Sequence, residues 1–239
     1  MRKLGIVGGA SWSSTALYYD HINRSVAQRL GGLHSARLVI ESFDFEDDYA
    51  SFHRRDDWEG ANRVVVAAAE RLKTAGAQGL LLASNTMHKA ADAVREATGL
   101  PIVDVREATA ARVAADGRSR IALLGTRFTM TEPFARGPYE TAGLAIHELT
   151  PGWRTEVDRI IYQELAGGRV VRDSQRKLKT LITELAKQKV QAVVLGCTEL
   201  VLAVDVRANV IPVYDTTAIH ARAAVDWMLE EEEQARAAA

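Results

Sequence analysis

Cys197 is the single cysteine of a 239-residue chain. It stands in Gly196-Cys197-Thr198-Glu199, directly after the apolar run Val193-Val194-Leu195. A thiol at such a turn can work as a thiolate base, because backbone N–H groups or a helix N-terminus can lower its pKa from about 8.5. The structural alternative is a small buried hydrophobe, which is what most lone cysteines are. A second polar turn, Ser84-Asn85-Thr86-Met87-His88, follows the similar run Leu80-Leu81-Leu82-Ala83. Its small polar residues can cap a following helix. The open N–H groups of a helix start, with the Asn85 and Thr86 side chains, also suit an α-carboxylate. A hydroxyl is a far weaker acid than a thiol, so Ser84 as a proton carrier needs help from His88 or a bound water. His88 reads as well as a solvent-facing helix residue.

Other segments carry fewer signals. Gly8-Gly9-Ala10-Ser11-Trp12-Ser13-Ser14-Thr15 is a glycine-containing loop between a strand and a helix. It lacks the spacing of a dinucleotide fingerprint and the Gly-Lys-Ser/Thr of a P-loop, so a small carboxylate suits it better than a nucleotide. An ordinary βα turn explains it equally. His53-Arg54-Arg55 lies in a charged stretch, and Arg169 follows Gly167-Gly168. Arg54, Arg55 or Arg169 could read an acidic side chain through a bidentate pair, although most exposed arginines do nothing of the kind.

These turns need a scaffold, and the hydrophobic pattern supplies one. Strand-like runs at 4–7, 36–42, 79–83 and 101–105 alternate with helical patterns at 13–30, 62–74 and about 87–97, with Gly76 as a C-cap signal. This order predicts an α/β fold whose parallel sheet is covered by helices on both faces. The second half echoes the first. Arg120-Ile121-Ala122-Leu123-Leu124-Gly125 resembles Lys3-Leu4-Gly5-Ile6-Val7-Gly8, and Pro212-Val213-Tyr214-Asp215 resembles Pro101-Ile102-Val103-Asp104. The expectation is two pseudo-symmetric Rossmann-like lobes, 1–112 joined by a C-terminal helix at 216–239, and 113–215. Ligands bind beyond the carboxyl ends of parallel strands. A pseudo-two-fold arrangement would therefore turn Ser84 and Cys197 toward a shared cleft, on opposite faces of one substrate carbon.

Bulk properties exclude several classes. The formal net charge is −1, which gives no electrostatic footprint for nucleic acid or a membrane surface. One cysteine permits no internal disulfide and fits a reducing cytoplasm. No pair of His, Cys or Glu stands at a recognisable metal-ligand spacing. The apolar runs are strand-length, and the N-terminus lacks the features of a signal peptide. A cytoplasmic α/β protein is expected.

Taken jointly, Gly8-Gly9 with Thr15, Ser84-Asn85-Thr86 and Gly196-Cys197-Thr198-Glu199 resemble the three signature loops of the aspartate/glutamate racemase superfamily, over essentially the full chain. Asn85-Thr86-Met87-His88 and Leu30-Gly31-Gly32-Leu33-His34-Ser35 look like its broad-specificity bacterial amino-acid racemase branch. The resemblance implies a homodimer acting on a small amino acid, with no cofactor and no pyridoxal phosphate. It implies that Ser84 and Cys197 exchange the α-proton. Asn85, Thr86 and Thr198 would hold the α-carboxylate, flanked by Met87 and Glu199. His53 or Arg54 would lie near the substrate side chain, with Arg169 a weaker candidate, and Ala10 and Ser11 would line the pocket. Most members carry cysteine at both catalytic positions, and a related branch has threonine where Ser84 stands here. Ser84 therefore bears on whether racemisation runs equally in both directions.

Two other functions compete. A decarboxylase or isomerase of the same superfamily, acting on a small dicarboxylic acid, fits the missing first cysteine. A small-molecule binding module fits two lobes around a cleft but leaves Cys197 unexplained. Aspartate, glutamate and neutral residues such as homoserine all remain open as substrates.

Overall fold

The computed structural model describes residues 1–237, and the side chains of these except His53 and residues 231–237. The chain divides into two compact units, Met1–Asp104 with His220–Ala239, and Val105–Ile219. The first contains β1 (Leu4–Gly8), α1 (Trp12–Leu30), β2 (Leu38–Ser42), a wide turn (Phe45–Ala50), α2 (Ser51–Arg54) and α3 (Trp58–Thr74). It continues with β3 (Gly79–Leu82), a 3-10 turn (Thr86–Ala90), α4 (Ala91–Thr98) and β4 (Ile102–Val103). All pairings are parallel, in the order β2-β1-β3-β4.

The second unit contains α5 (Val105–Ala115), β5 (Arg120–Leu124), α6 (Arg127–Thr131), α7 (Pro133–Thr141), β6 (Ala145–Ile146) and α8 (Pro151–Gln163). A turn (Leu165–Gly167), α9 (Arg172–Lys187), β7 (Ala192–Leu195), a 3-10 turn (Thr198–Leu202) and β8 (Val213–Asp215) complete it. Its order, β6-β5-β7-β8, is again parallel and repeats that of the first unit strand for strand. Helix α10 (Thr216–Ala237) starts in the second unit and runs into the first.

The near-continuous apolar runs of the central strands follow from burial on both faces. In β1 and β3, Val7, Leu80 and Leu82 pack with α3 and α4, whereas Leu4, Ile6 and Leu81 pack with α1 and α10. In β5 and β7, Leu124, Val193 and Leu195 face α8 and α9, and Ile121, Leu123 and Val194 face α5 and α7. Each such side chain contributes roughly 1.5–3 kcal/mol by leaving water. Pleat alternation thus fixes which residues end each strand and, with them, where the following loop begins.

Three boundaries differ most from the sequence pattern. Helix α3 starts at Trp58 rather than at 62, because the Asp57 carboxylate accepts the Gly60 N–H at 2.9 Å and caps a first turn that carries few apolar residues. The expected helix at 87–97 is a 3-10 turn followed by α4. Of the strand expected at 101–105, only Ile102–Val103 pairs, since Val105 already opens α5. No helix among the described residues is long and apolar enough to cross a membrane.

Candidate active site

In each sheet the chain runs from the second-placed strand outward to one edge, then returns to build the other side. The carboxyl ends of β1 and β3, and of β5 and β7, are therefore topological switch points, where the two following loops diverge and leave a crevice. The chemically suggestive turns emerge at those four strand ends.

After β1, Gly9 adopts φ +99°, and a Cβ there would stand 2.1 Å from the Phe43 carbonyl oxygen. Only glycine lets the two backbones approach so closely. The Gly9 N–H donates to Thr15 Oγ1 at 3.1 Å, and that hydroxyl donates to the Ser11 carbonyl at 3.0 Å. Ser11 caps α1 by accepting the Ser14 N–H, and its hydroxyl also meets Ser13 Oγ at 2.8 Å. Ala10 is half-buried against the α3 side of the core.

After β3, Ser84 and Thr86 are half-buried and Asn85 is buried. The Asn85 side chain makes no cap bond to the turn it precedes. Met87 packs with Val7, Leu82 and Val94, only 1% exposed. Its side chain fills the space between sheet and helices. His88 is also buried rather than solvent-facing. Its Nδ1 donates to the Ser84 carbonyl at 2.9 Å, and its Nε2 lies 3.9 Å from Asp104 Oδ1.

The second unit has a comparable loop pair. A Cβ on Gly125 would meet the Gly196 carbonyl oxygen at 3.1 Å, and one on Gly196 would meet Thr129 Cγ2 at 2.7 Å. The loops after β5 and β7 are thus in backbone contact. Cys197 is half-buried. Its Sγ–H donates to Glu199 Oε2 at 2.9 Å, and the Thr198 hydroxyl donates to the same oxygen at 2.8 Å. Burial pushes the Cys197 thiol well above its usual range, and the Glu199 charge and hydrogen bond, with Asp158 beyond, push it further. The expectation of a thiolate lowered by backbone N–H groups is therefore corrected for the protein at rest. The nearest charges are negative and a proton on sulfur is what they favour.

The cationic candidates are committed locally. Arg54 makes a bidentate pair with Glu46, at 3.0 and 2.7 Å, on an exposed surface. The Arg169 N–H and guanidinium donate to the carbonyls of Glu164 and Gln163, at 3.0 and 2.9 Å, closing the turn that begins after α8. The His53 side chain lies outside those described.

Several polar residues at these strand ends escaped the sequence pattern. Thr126 and Thr129 are buried with their hydroxyls 3.3 Å apart, and Asp158 accepts the Arg127 N–H at 2.6 Å. Glu164 is buried against Arg159 at 2.8 Å, and the turn after it packs on the one that follows Cys197. Gly125, the repeat partner of Gly8, was the one available pointer to this loop. Among the described residues no three His, Cys, Asp or Glu side chains gather to hold a metal ion.

A racemase family description covering aspartate, glutamate and hydantoin substrates matches residues 7–224. Among solved structures, one from Yersinia pestis, named as a candidate Asp/Glu racemase, is 42% identical with a TM-score of 0.89, over 96% of this chain and 100% of that one. An aspartate racemase homologue from Pyrococcus horikoshii is 30% identical with a TM-score of 0.80, over 95% of this chain and 99% of that one. Glutamate racemase from Francisella tularensis, solved with D-glutamate, shares the fold at 14% identity and a TM-score of 0.64, over 97% and 82% of the two chains. Two equivalent parallel sheets, with a hydroxyl after one central strand and a thiol after its counterpart, belong with that match: the chain is a member of the Asp/Glu/Hydantoin racemase family.

Proposed function

We propose that the protein is a cofactor-independent amino-acid racemase in which Cys197 and the Ser84 side handle the α-proton on opposite faces of the substrate. The observation that carries this reading is the placement of Ser84 and Cys197 at equivalent strand ends of two sheets with the same topology. The Cys197–Glu199 pair supplies the acid–base chemistry on one side. Glu199 takes the thiol proton, the resulting thiolate removes Hα, and a carbanion and a neutral thiol result. A proton delivered from the Ser84 side, by its hydroxyl or a water it holds, completes inversion. In the opposite direction a base on the Ser84 side, its hydroxyl or a water it holds, takes Hα, the Cys197 thiol gives its proton to the carbanion, and solvent reprotonates the sulfur while Glu199 stays a carboxylate. The Asn85-Thr86 turn and Thr198 bind the α-carboxylate, where aligned N–H donors offset the charge that develops next to the carbanion.

The substrate is aspartate, glutamate or a broader set, and the working form is a homodimer in the cytoplasm. Arg54 or Arg169 reads an acidic side chain only by giving up its present partner. Incubation with single L- and D-amino acids in D₂O tests the activity: Hα exchange with appearance of the antipode is expected, and absence of both across the common amino acids defeats it. Ser84→Ala should slow one direction more than the other, and equal, unchanged rates would remove Ser84 from the chemistry. A second reading, decarboxylation of a malonate-type acid, draws on the protonated Cys197 thiol, which suits one-sided protonation of a carbanion. It predicts CO₂ release from such acids and no antipode.

A further inference from the structure

Beneath the Ser84 turn lies a buried polar cluster that the proposed proton transfers do not use. His88 and Asp104 side chains are fully buried. The second Asp104 oxygen, Oδ2, accepts from Arg95 of α4 at 3.3 Å. The His220 ring of α10 lies 5.6 Å from the His88 ring, with its Nε2 2.7 Å from the Val103 carbonyl and its Nδ1 2.9 Å from the Tyr18 hydroxyl of α1. On the turn itself, the neighbouring Lys89 ammonium is directed to the Trp58 ring at 3.9 Å.

Hydrogen-bond chemistry assigns the protons. A carbonyl oxygen only accepts, so His88 Nδ1 carries a proton toward Ser84 and His220 Nε2 carries one toward Val103. The other His88 nitrogen faces a buried carboxylate, where a bare lone pair would be repelled and an N–H is attracted. The other His220 nitrogen can accept from Tyr18; the Asp104 charge reaches this ring too, but burial and His88 outweigh it. We infer that His88 is a positioning residue: a buried imidazolium, ion-paired to Asp104, that clamps the Ser84 carbonyl and sets a fixed positive charge behind the Ser84-Asn85-Thr86 turn. Burial and the nearby His88 charge hold His220 down to about 3, which fits one cationic ring and one neutral ring in the cluster.

Arg95 is shared between Asp104 and the exposed Asp92, at 3.3 and 2.9 Å, which leaves the His88 cation as the charge hydrogen-bonded to the turn itself. It favours an anionic group at the turn, and the bond to the Ser84 carbonyl polarises the Ser84–Asn85 peptide so that its N–H donates more strongly. This deepens the proposed carboxylate-binding role of the turn and rests on that reading. The protonation state itself does not, and can be measured separately.

The decisive measurement is nitrogen-15 NMR of the histidine rings of the full chain between mild acid and mild alkali, with His88 assigned by its loss in His88→Gln. Both His88 nitrogens protonated at neutral pH, beside a neutral His220, is the expected result. A neutral His88 overturns the inference whether or not any amino acid is racemised. The kinetic arm uses the exchanged amino acid. His88→Gln keeps a donor to Ser84 but loses the charge and should lower kcat/KM by about ten-fold or more. Asp104→Asn should add a new loss of rate as pH rises, because the imidazolium loses its counterion. If His88→Gln exchanges Hα at the wild-type rate, the charge has no part in substrate handling.

Discussion

Replacing Glu199 by glutamine probes the thiol most directly. The amide can still accept from sulfur, so the perturbation removes the charge and little else. Between a thiolate and a carboxylate 2.9 Å apart, repulsion at an effective dielectric of about 20 is about 6 kcal/mol. Cys197 is half-buried, so water screens much of it, and about a third, ~2 kcal/mol, is a fair expectation. The direction is a fall in the thiol pKa, seen as a larger thiolate fraction at a fixed pH. The rate of iodoacetamide alkylation against pH reports it without background, because the chain has one cysteine. An unshifted or raised alkylation pKa in Glu199→Gln would refute the claim that Glu199 holds the proton on sulfur. The same coupling links to stability. A thiol raised on folding contributes stability that is fully present below its unfolded value of about 8.5 and is lost as pH climbs toward the folded value. Cys197→Ala should therefore flatten the alkaline arm of the stability curve.

His220 gives the opposite sign: its pKa falls from 6.5 to about 3 on folding, so its contribution is present above about pH 6.5 and is lost as pH falls toward 3. Urea titrations at several pH values should show His220→Asn less acid-sensitive than wild type, and an unchanged acid slope would count against a buried neutral ring. Gly9→Ala places a Cβ 2.1 Å from a carbonyl oxygen at positive φ and should cost several kcal/mol or prevent folding. At Gly99, also left-handed but with open space around its Cβ, alanine should cost only about 1 kcal/mol; equal losses in thermal melts would dispose of the contact argument. Arg159→Met removes the ion pair from buried Glu164, which keeps its Ser174 hydrogen bond, and should destabilise by about 1–3 kcal/mol, with a midpoint shift in guanidinium as the check.

The sequence determined the alternation of strands and helices, the doubling of the pattern, and the polar turns after 79–83 and 193–195. Local chemistry carries those features: pleat and helix periods, caps, and apolar runs long enough for a central strand. The family resemblance was legible too, because the three loops are short contiguous motifs. Tertiary structure decided what each polar side chain faces. Asp104 and Asp215 hold matching places in the repeat, yet Asp104 is buried against His88 and Arg95, whereas Asp215 caps α10 by accepting the Thr217 N–H at 2.8 Å. Met87 and His88 are neighbours in a polar-looking turn, and packing sent one into the core and the other beneath Ser84. Protonation followed the same rule. Cys197 stands two residues from Glu199 in the chain, but only the folded turn brings sulfur and carboxylate to hydrogen-bond distance, where burial and charge together keep the proton on sulfur.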